Sequence, residues 1–444
     1  MRKVFHRFHM IRDISKDTLI YGLSDALPRL IQFILLPLYT RIFTPSEYGI
    51  LEILILFSNL LLIIFDLGLV FAQNFYFYQI GDQTKVVSTI FLLRILWGFF
   101  LLLILSILSP ILNTVIFGGN IENFLLFILF LNVLYSTIMN QIIEIFRLNF
   151  KPLSFFYLWI FFTLFSVSLI LIFIIAFRMG LLGFLLGYLV GAIFGSSISV
   201  WKNRKYIKLH FDKDLAKEFL RFSIPLLPGN LGIFLVTVID RFLLAKLSNF
   251  SEVGMYSVGL KFSMLIYIFA DIFTKSSNPY ILSKIKTEEG LALLRDLSEI
   301  YTFIVGGMSV IITILTPFII KVLLPEEYFI SYKVVGILCL SMSFWGFSNF
   351  PSLGLFKEQK TKFYSFSIVL GLMVNVLMNY ILVKKFGAVG ASVAVLSGNV
   401  CFVIMLSIIS EKISRIKLKY GRIIPSFLIS CILVMVFHIF WSRF

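Results

Sequence analysis

Residues Ile50 to Tyr76 read ILEILILFSNLLLIIFDLGLVFAQNFY, an apolar run long enough to cross a bilayer and broken only by a few polar side chains. A spanning helix needs roughly 20 apolar residues, so this stretch alone makes the chain a membrane protein. Its polar exceptions are ordered. Glu52, Asn59, Asp66 and Gln73 follow one another at seven-residue intervals. A heptad drifts by only about 20° per step on a helix, so the four form one stripe with steps of about 10 Å. Facing lipid, such a stripe would be costly, which points to the wall of a polar cavity. The alternative is interhelical hydrogen bonding, which explains Asn59 and Gln73 more readily than Asp66.

Outward from this run the same pattern recurs. Thirteen segments qualify as spans: 18–40, 50–76, 86–109, 123–143, 153–177, 181–201, 223–245, 255–274, 297–320, 333–356, 363–383, 388–410 and 423–441. The composition agrees, with 59% hydrophobic and 14% charged residues and a mean hydropathy of +0.98, which excludes soluble globular and disordered classes. Continuous apolarity rather than alternation excludes a β-barrel, so the expected fold is an all-α polytopic membrane protein with 12 to 13 transmembrane helices.

The net charge of +16 reflects topology. With the N-terminus cytoplasmic, 27 of the 39 Lys and Arg residues fall in cytoplasmic segments, eight on the other side and four inside the membrane. That bias is the positive-inside rule. It places 202–222 and 275–296 in the cytoplasm, 110–122 and 324–332 outside, and Phe444 outside if the last segment spans. No basic segment carries a base-reading motif, so nucleic acid is not an expected partner. The basic start MRKVFHRFHMIRDISKD lacks a following cleavage site, and the first helix is expected to stay in the protein.

Chemistry-bearing clusters are sparse. Cys339, Cys401 and Cys431 lie in apolar runs and read as packing residues, and no two of the four histidines have metal-ligand spacing, so neither a metal nor a cofactor is expected. The longest loops, 202–222 and 280–296, read as short amphipathic connectors on the membrane surface. Neither is large enough for an enzyme domain. A membrane glycosyltransferase or polymerase is disfavoured for that reason, and no Gly-x-x-x-x-Gly-Lys-Ser/Thr motif for nucleotide hydrolysis occurs.

The connector 202–222 also divides the chain. Pro28, Arg41 and Ser46-Glu47-Tyr48-Gly49 in the first half match Pro228, Arg241 and Ser251-Glu252-Val253-Gly254 in the second, with five extra residues before the second tetrapeptide. Both copies leave the cytoplasm at an odd-numbered helix, as in a parallel repeat about an axis along the membrane normal. The expected organisation is a lobe at 1–201, a basic cytoplasmic linker at 202–222, a lobe at 223–410, and a basic loop with a possible thirteenth helix at 411–444.

At these residues the chain resembles a known family. The stretch from Leu27 to Gly49, LPRLIQFILLPLYTRIFTPSEYG, followed by Asp66-Leu67-Gly68, is similar to the N-terminal signature of bacterial polysaccharide repeat-unit flippases of the Wzx, or O-antigen, type. Ile239-Asp240-Arg241 through Gly254-Met255-Tyr256 resembles the start of that family's second lobe. The wider exporter superfamily includes multidrug exporters and lipid II flippases. What the resemblance implies is two pseudo-symmetric six-helix bundles around a central cavity, working by alternating access in a bacterial inner membrane. The implied substrate is an undecaprenyl-diphosphate-linked oligosaccharide destined for O-antigen, capsule or another polymer. The implied partners are membrane lipids, a polysaccharide polymerase and other assembly proteins. The alternative is a drug or metabolite exporter of the same superfamily. No bond is broken in either case, so the protein is not expected to be an enzyme.

Ionisable residues inside the spans locate the expected site. On the first helix Tyr21, Ser24, Asp25, Pro28, Arg29 and Gln32 share a face, and Arg29 lies roughly 16 Å from the cytoplasmic start. A self-satisfying Asp25–Arg29 pair is the plainer reading. Asn230, Thr237 and Arg241 share a face of the seventh helix beside Asp240, and Ser257, Lys261, Met264, Asp271 and Asn278 form a second stripe on the eighth. Arg29, Arg241, Lys261, Arg94, Asn59 and Gln32 are therefore candidate substrate-binding residues, the cations suiting a diphosphate. Asp25, Asp66, Asp240 and Asp271 are candidates for coupling to H+ or Na+. Glu144 is expected to pair with a nearby cation, and Asn375 and Asn379 to serve as packing contacts.

Overall fold

The computed structural model describes residues 27, 28, 30–360 and 362–441, and all regular structure among them is helical. Asp25, Arg29 and Phe444 lie outside the described residues. The helices are α1 (Leu30–Ile42), α2 (Pro45–Asp66), α3 (Leu69–Gln79), α4 (Gln83–Phe117), α5 (Asn123–Leu148), α6 (Pro152–Leu171), α7 (Gly180–Lys202), α8 (Lys213–Ser223), α9 (Leu227–Leu247), α10 (Phe250–Lys284), α11 (Glu288–Leu323), α12 (Tyr332–Phe347), α13 (Asn349–Lys357), α14 (Lys362–Ser414) and α15 (Tyr420–Trp441).

Ten helices among the described residues are long and apolar enough to span a membrane, or eleven if the bent segment 213–247, which includes α8 and α9, counts as one span. Two of these spans carry a short interruption, at Leu67-Gly68 between α2 and α3 and at Ser348 between α12 and α13, and the segment 213–247 bends by 46° inside α9. The 53-residue α14 is two helices joined at Gly387, whose φ of 51° and ψ of −128° only glycine adopts without strain. All thirteen segments expected from the sequence coincide with helix, the first over its described part. The protein is an all-α multi-pass membrane protein.

By internal contacts the chain forms two compact units. The first holds residues up to Ile34 together with Ile53–Thr237, and the second holds Leu35–Glu52 together with Val238 onward.

In the first unit the chain between α7 and α9 differs from a free surface connector. Asp212 caps α8, accepting from the backbone N–H groups of Asp214 and Leu215 at 3.0 and 3.1 Å. The apolar face of α8 is covered by protein rather than by lipid: Phe219 is fully buried among Leu69, Ala72, Val86 and Ile90. A helix start with Asp at its cap and apolar residues at three- and four-residue spacing needs only one apolar neighbour, and α3 and α4 supply it. The other expected connector, 280–296, is no separate surface element. It consists of the ends of α10 and α11 with a three-residue turn, 285–287, between them.

In the second unit the two repeat tetrapeptides meet. A Cβ on Gly49 would stand 1.8 Å from the carbonyl oxygen of Phe250, and a Cβ on Gly254 would stand 2.1 Å from that of Pro45. Each glycine thus admits the first residue of the other copy's helix, a reciprocal crossing that no larger side chain permits. The glutamates beside them differ in use. Glu47 closes a capping box on its own helix, accepting from the Thr44 N–H at 2.9 Å, while the Thr44 hydroxyl accepts from the Glu47 N–H at 3.3 Å. Glu252 reaches across to the break in α14, where its carboxylate accepts from the Ala388 N–H at 2.6 Å.

Candidate functional site

One turn beyond the glycine crossing lies a buried charged cluster. Glu52, on α2, is 4% exposed. Its carboxylate accepts a hydrogen bond from the Tyr48 hydroxyl at 2.9 Å, and the Lys261 ammonium of α10 stands 3.3 Å away. Arg241 on α9 also acts electrostatically on Glu52. The neighbouring Asp240 is equally buried and accepts from the hydroxyl of fully buried Tyr256. Two of the sequence-expected cations, Lys261 and Arg241, are therefore gathered on one acid. Burying an ion costs several kcal/mol, so these charges persist only because they face one another.

Glu52 is the residue that reading the sequence as a site underrated. It appears as the first member of a stripe, yet it is the acid on which both cations converge. The available signal is local. Tyr48 and Glu52 stand four residues apart and flank the repeat glycine in sequence.

The first unit holds a second charged pair. Asp66 ends α2, and the chain then passes through left-handed conformations at Leu67 (φ 52°) and Gly68 (φ 71°) before α3 begins. The Asp66 carboxylate accepts from Arg94 of α4 at 2.5 Å, and Arg94 donates its other terminal nitrogen to the Thr137 carbonyl of α5 at 2.6 Å. Arg94 is 1% exposed. Around the break lies a cavity of about 480 Å³ lined by Leu62, Ile63, Asp66, Gly68, Phe71, Asn230, Phe234 and Thr237.

The stripe of Glu52, Asn59, Asp66 and Gln73 consequently does not form one continuous wall. Glu52 belongs to the Lys261 cluster, Asn59 is exposed, Asp66 pairs with Arg94, and buried Gln73 donates to the Gln141 carbonyl at 3.1 Å. The break after Asp66 resets the helical phase for Gln73 alone; Glu52, Asn59 and Asp66 share unbroken α2 and differ because Glu52 meets α10, Asp66 meets α4 and Asn59 stays exposed.

On α10 the second stripe is differently used. Ser257 is buried, Asp271 pairs with Lys275 of its own helix at 2.8 Å, and Asn278 exchanges amide hydrogen bonds with Asn349 at 2.8 and 3.2 Å. Gln32 is exposed on α1. Glu144 pairs with Arg147, and Asn379 donates to the Asn375 side chain at 2.5 Å, so these residues serve the packing roles expected of them. Among the described residues no three His, Cys, Asp or Glu side chains come together as a metal site.

Interrupted spans, ion pairs within them and a two-unit helical chain define the class of polytopic α-helical membrane proteins. The comparisons agree on the fold. The chain superimposes on the lipid II flippase MurJ in an inward closed conformation with a TM-score of 0.70 at 17% identity, covering 96% of this chain and 98% of that one. An inward-facing multidrug resistance MATE family transporter of the MOP superfamily gives a TM-score of 0.67 at 14% identity, covering 89% and 95%. The membrane protein MJ1375 of Methanocaldococcus jannaschii is 26% identical over 411 residues, 86% of this chain and 94% of that protein. The family model described as polysaccharide biosynthesis protein matches residues 38–333, about two thirds of the chain, and the chain belongs to that family.

Proposed function

We propose that the protein is a flippase that carries undecaprenyl-diphosphate-linked oligosaccharide repeat units from the cytoplasmic to the outer leaflet of a bacterial inner membrane. The N-terminus is cytoplasmic, and two lobes, 1–201 and 223–410, alternate access to a central cavity without breaking a covalent bond. The observation that carries this reading is the convergence of Lys261 and Arg241 on buried Glu52. A diphosphate offers these cations more anionic oxygens than one carboxylate does, and arginine meets it with two parallel hydrogen bonds. Glu52 thus holds the cations in place between transport cycles, and the substrate exchanges with it.

Arg29 is the expected counterpart in the first lobe, with Gln32 and Asn59 as polar contacts to the saccharide. Among the acids proposed for ion coupling, Asp240 is best suited to take up H+ or Na+, because its hydrogen-bond partner is a neutral phenol. Asp66 and Asp271 each already face a cation. A polymerase acting on the exported unit completes the expected partners.

The test is export in cells. Arg241→Lys should export partly, and Arg241→Ala and Lys261→Met poorly, with lipid-linked repeat units accumulating on the cytoplasmic side at unchanged protein level. Normal surface polymer in Arg241→Ala and Lys261→Met, together with new sensitivity to toxic cations, would replace this reading with that of a drug exporter.

A further inference from the structure

The cavity at the α2–α3 break in the first unit has no part in the cation cluster, yet its lining is specific. Among the described residues Asp66 is its sole ionisable lining residue, and Arg94 pairs with it. A cavity with no net charge has no preference for an ion of either sign. Its remaining polar groups are the Asn230 amide and the Thr237 hydroxyl, and the Phe71 and Phe234 rings stand among them. The chain bends by 46° between Gly232 and Phe234, and the cavity is lined from both sides of that bend, by Asn230 before it and by Phe234 and Thr237 after it.

The helix break is an independent sign of a ligand. Non-helical backbone inside a membrane is tolerated only where protein buries it or where it lines a polar cavity, and transporters build substrate sites at such breaks. Gly68 places that backbone in the cavity wall.

We infer that this cavity is a pyranose subsite, holding one sugar ring of the saccharide through hydroxyl hydrogen bonds to Asp66, Asn230 and Thr237 and through packing of the ring's C–H face on Phe71 and Phe234. The inference rests on the flippase reading and deepens it. A sugar is uncharged and carries hydroxyls that both donate and accept. Asp66 accepts while ionised, Thr237, whose hydroxyl donates to the Phe234 carbonyl at 2.7 Å, accepts as well, and the Asn230 amide both donates and accepts, so the set satisfies hydroxyls in either sense. Its C–H faces are apolar and suit an aromatic wall. The volume lies within the range of small-molecule sites and exceeds what a water cluster needs.

The test uses purified full-length protein in lipid nanodiscs and saturation-transfer NMR with methyl glucoside, methyl galactoside and methyl N-acetylglucosaminide as separate probes. At least one glycoside should receive saturation at its ring C–H protons. The double variant Phe71→Ala/Phe234→Ala should weaken that binding about tenfold, the effect of losing roughly 1.4 kcal/mol of aromatic contact. Thr237→Val should weaken it less. Phe99→Ala, at an exposed position outside the cavity, should leave it unchanged and controls for folding. No transfer to any glycoside, or equal transfer in the wild type and the Phe71/Phe234 variant, would overturn the subsite. Translocation of a lipid-linked saccharide by the wild type in proteoliposomes is measured beside it. Translocation without glycoside transfer sinks the subsite alone, and absence of translocation sinks the flippase reading.

Discussion

The stripe on α2 and α3 and the stripe on α10 each hold polar residues seven residues apart, Asp66 and Gln73 in the first and Asp271 and Asn278 in the second, yet they are held in different ways. In the first, the helix breaks after Asp66, and the acid finds Arg94 on another helix with 1% of that arginine exposed. In the second, α10 runs unbroken for 35 residues and Asp271 pairs with Lys275 on its own surface, where their side chains are 32% and 54% exposed. Spacing along one helix therefore identifies a polar face but not its partner. The partner and the burial decide whether a charge is structural, poised for a ligand, or merely solvated.

The largest effects should come from the first pair. Asp66→Ala leaves the buried Arg94 charge uncompensated and should lower stability by about 3–5 kcal/mol, whereas Arg94→Ala leaves an Asp66 that is 21% exposed to the cavity and should cost less. The double variant Asp66→Asn/Arg94→Gln should recover a large part of that loss in thermal unfolding of detergent-solubilised protein. If the two single variants melt like the wild type, the pair is not the buried contact described.

The glycine crossing comes next. Gly49→Ala and Gly254→Ala each insert a methyl group where a backbone carbonyl stands, and the overpacking should cost about 1–3 kcal/mol. The reciprocity of the contact makes the two losses similar, and the double variant should fall short of their sum because both relieve the same contact. Unequal losses measured by the same unfolding assay would break the symmetry of the repeat.

The two repeat glutamates sharpen the comparison further. Glu252→Gln weakens a charged hydrogen bond at the Gly387 break and should cost about 1–2 kcal/mol. Glu47→Gln retains a side chain that can complete the same capping box and should cost less. Amide exchange at Ala388 should quicken in the first variant and stay unchanged in the second. The smallest effect belongs to the solvated pair: Asp271→Asn should change stability by about 0–1 kcal/mol. A loss as large as that of Asp66→Ala would erase the distinction between the stripes.

Much of the fold was legible because a bilayer demands long apolar helices. Residues such as Leu54, Ile90 and Ile142 needed no partner to be read as membrane-embedded, and the expected spans coincide with helix over their described residues. The site was less legible. Lys261 and Arg241 stood out as charges in apolar sequence, but their convergence on Glu52 depends on the crossing of α2 and α10 at Gly49 and Gly254. Asp66 could be placed on a face, whereas Arg94, 28 residues away, could be joined to it only by the packing of α4 against the end of α2. The break itself had a sequence signal in Asp66-Leu67-Gly68, since glycine permits the left-handed turn there. Periodicity carried through that glycine as if the helix continued.

The central claim is that Lys261 and Arg241 are held by Glu52 until an anionic substrate takes them. Its most direct measurement is calorimetric binding of a short-chain prenyl diphosphate to purified protein in nanodiscs, comparing the wild type with Glu52→Gln and Lys261→Met. The account predicts that removing the competing carboxylate in Glu52→Gln tightens binding and that Lys261→Met weakens it, each with a change of about tenfold for a pairing worth roughly 1.4 kcal/mol. Binding that is equal in all three proteins, or weaker in Glu52→Gln, would contradict it.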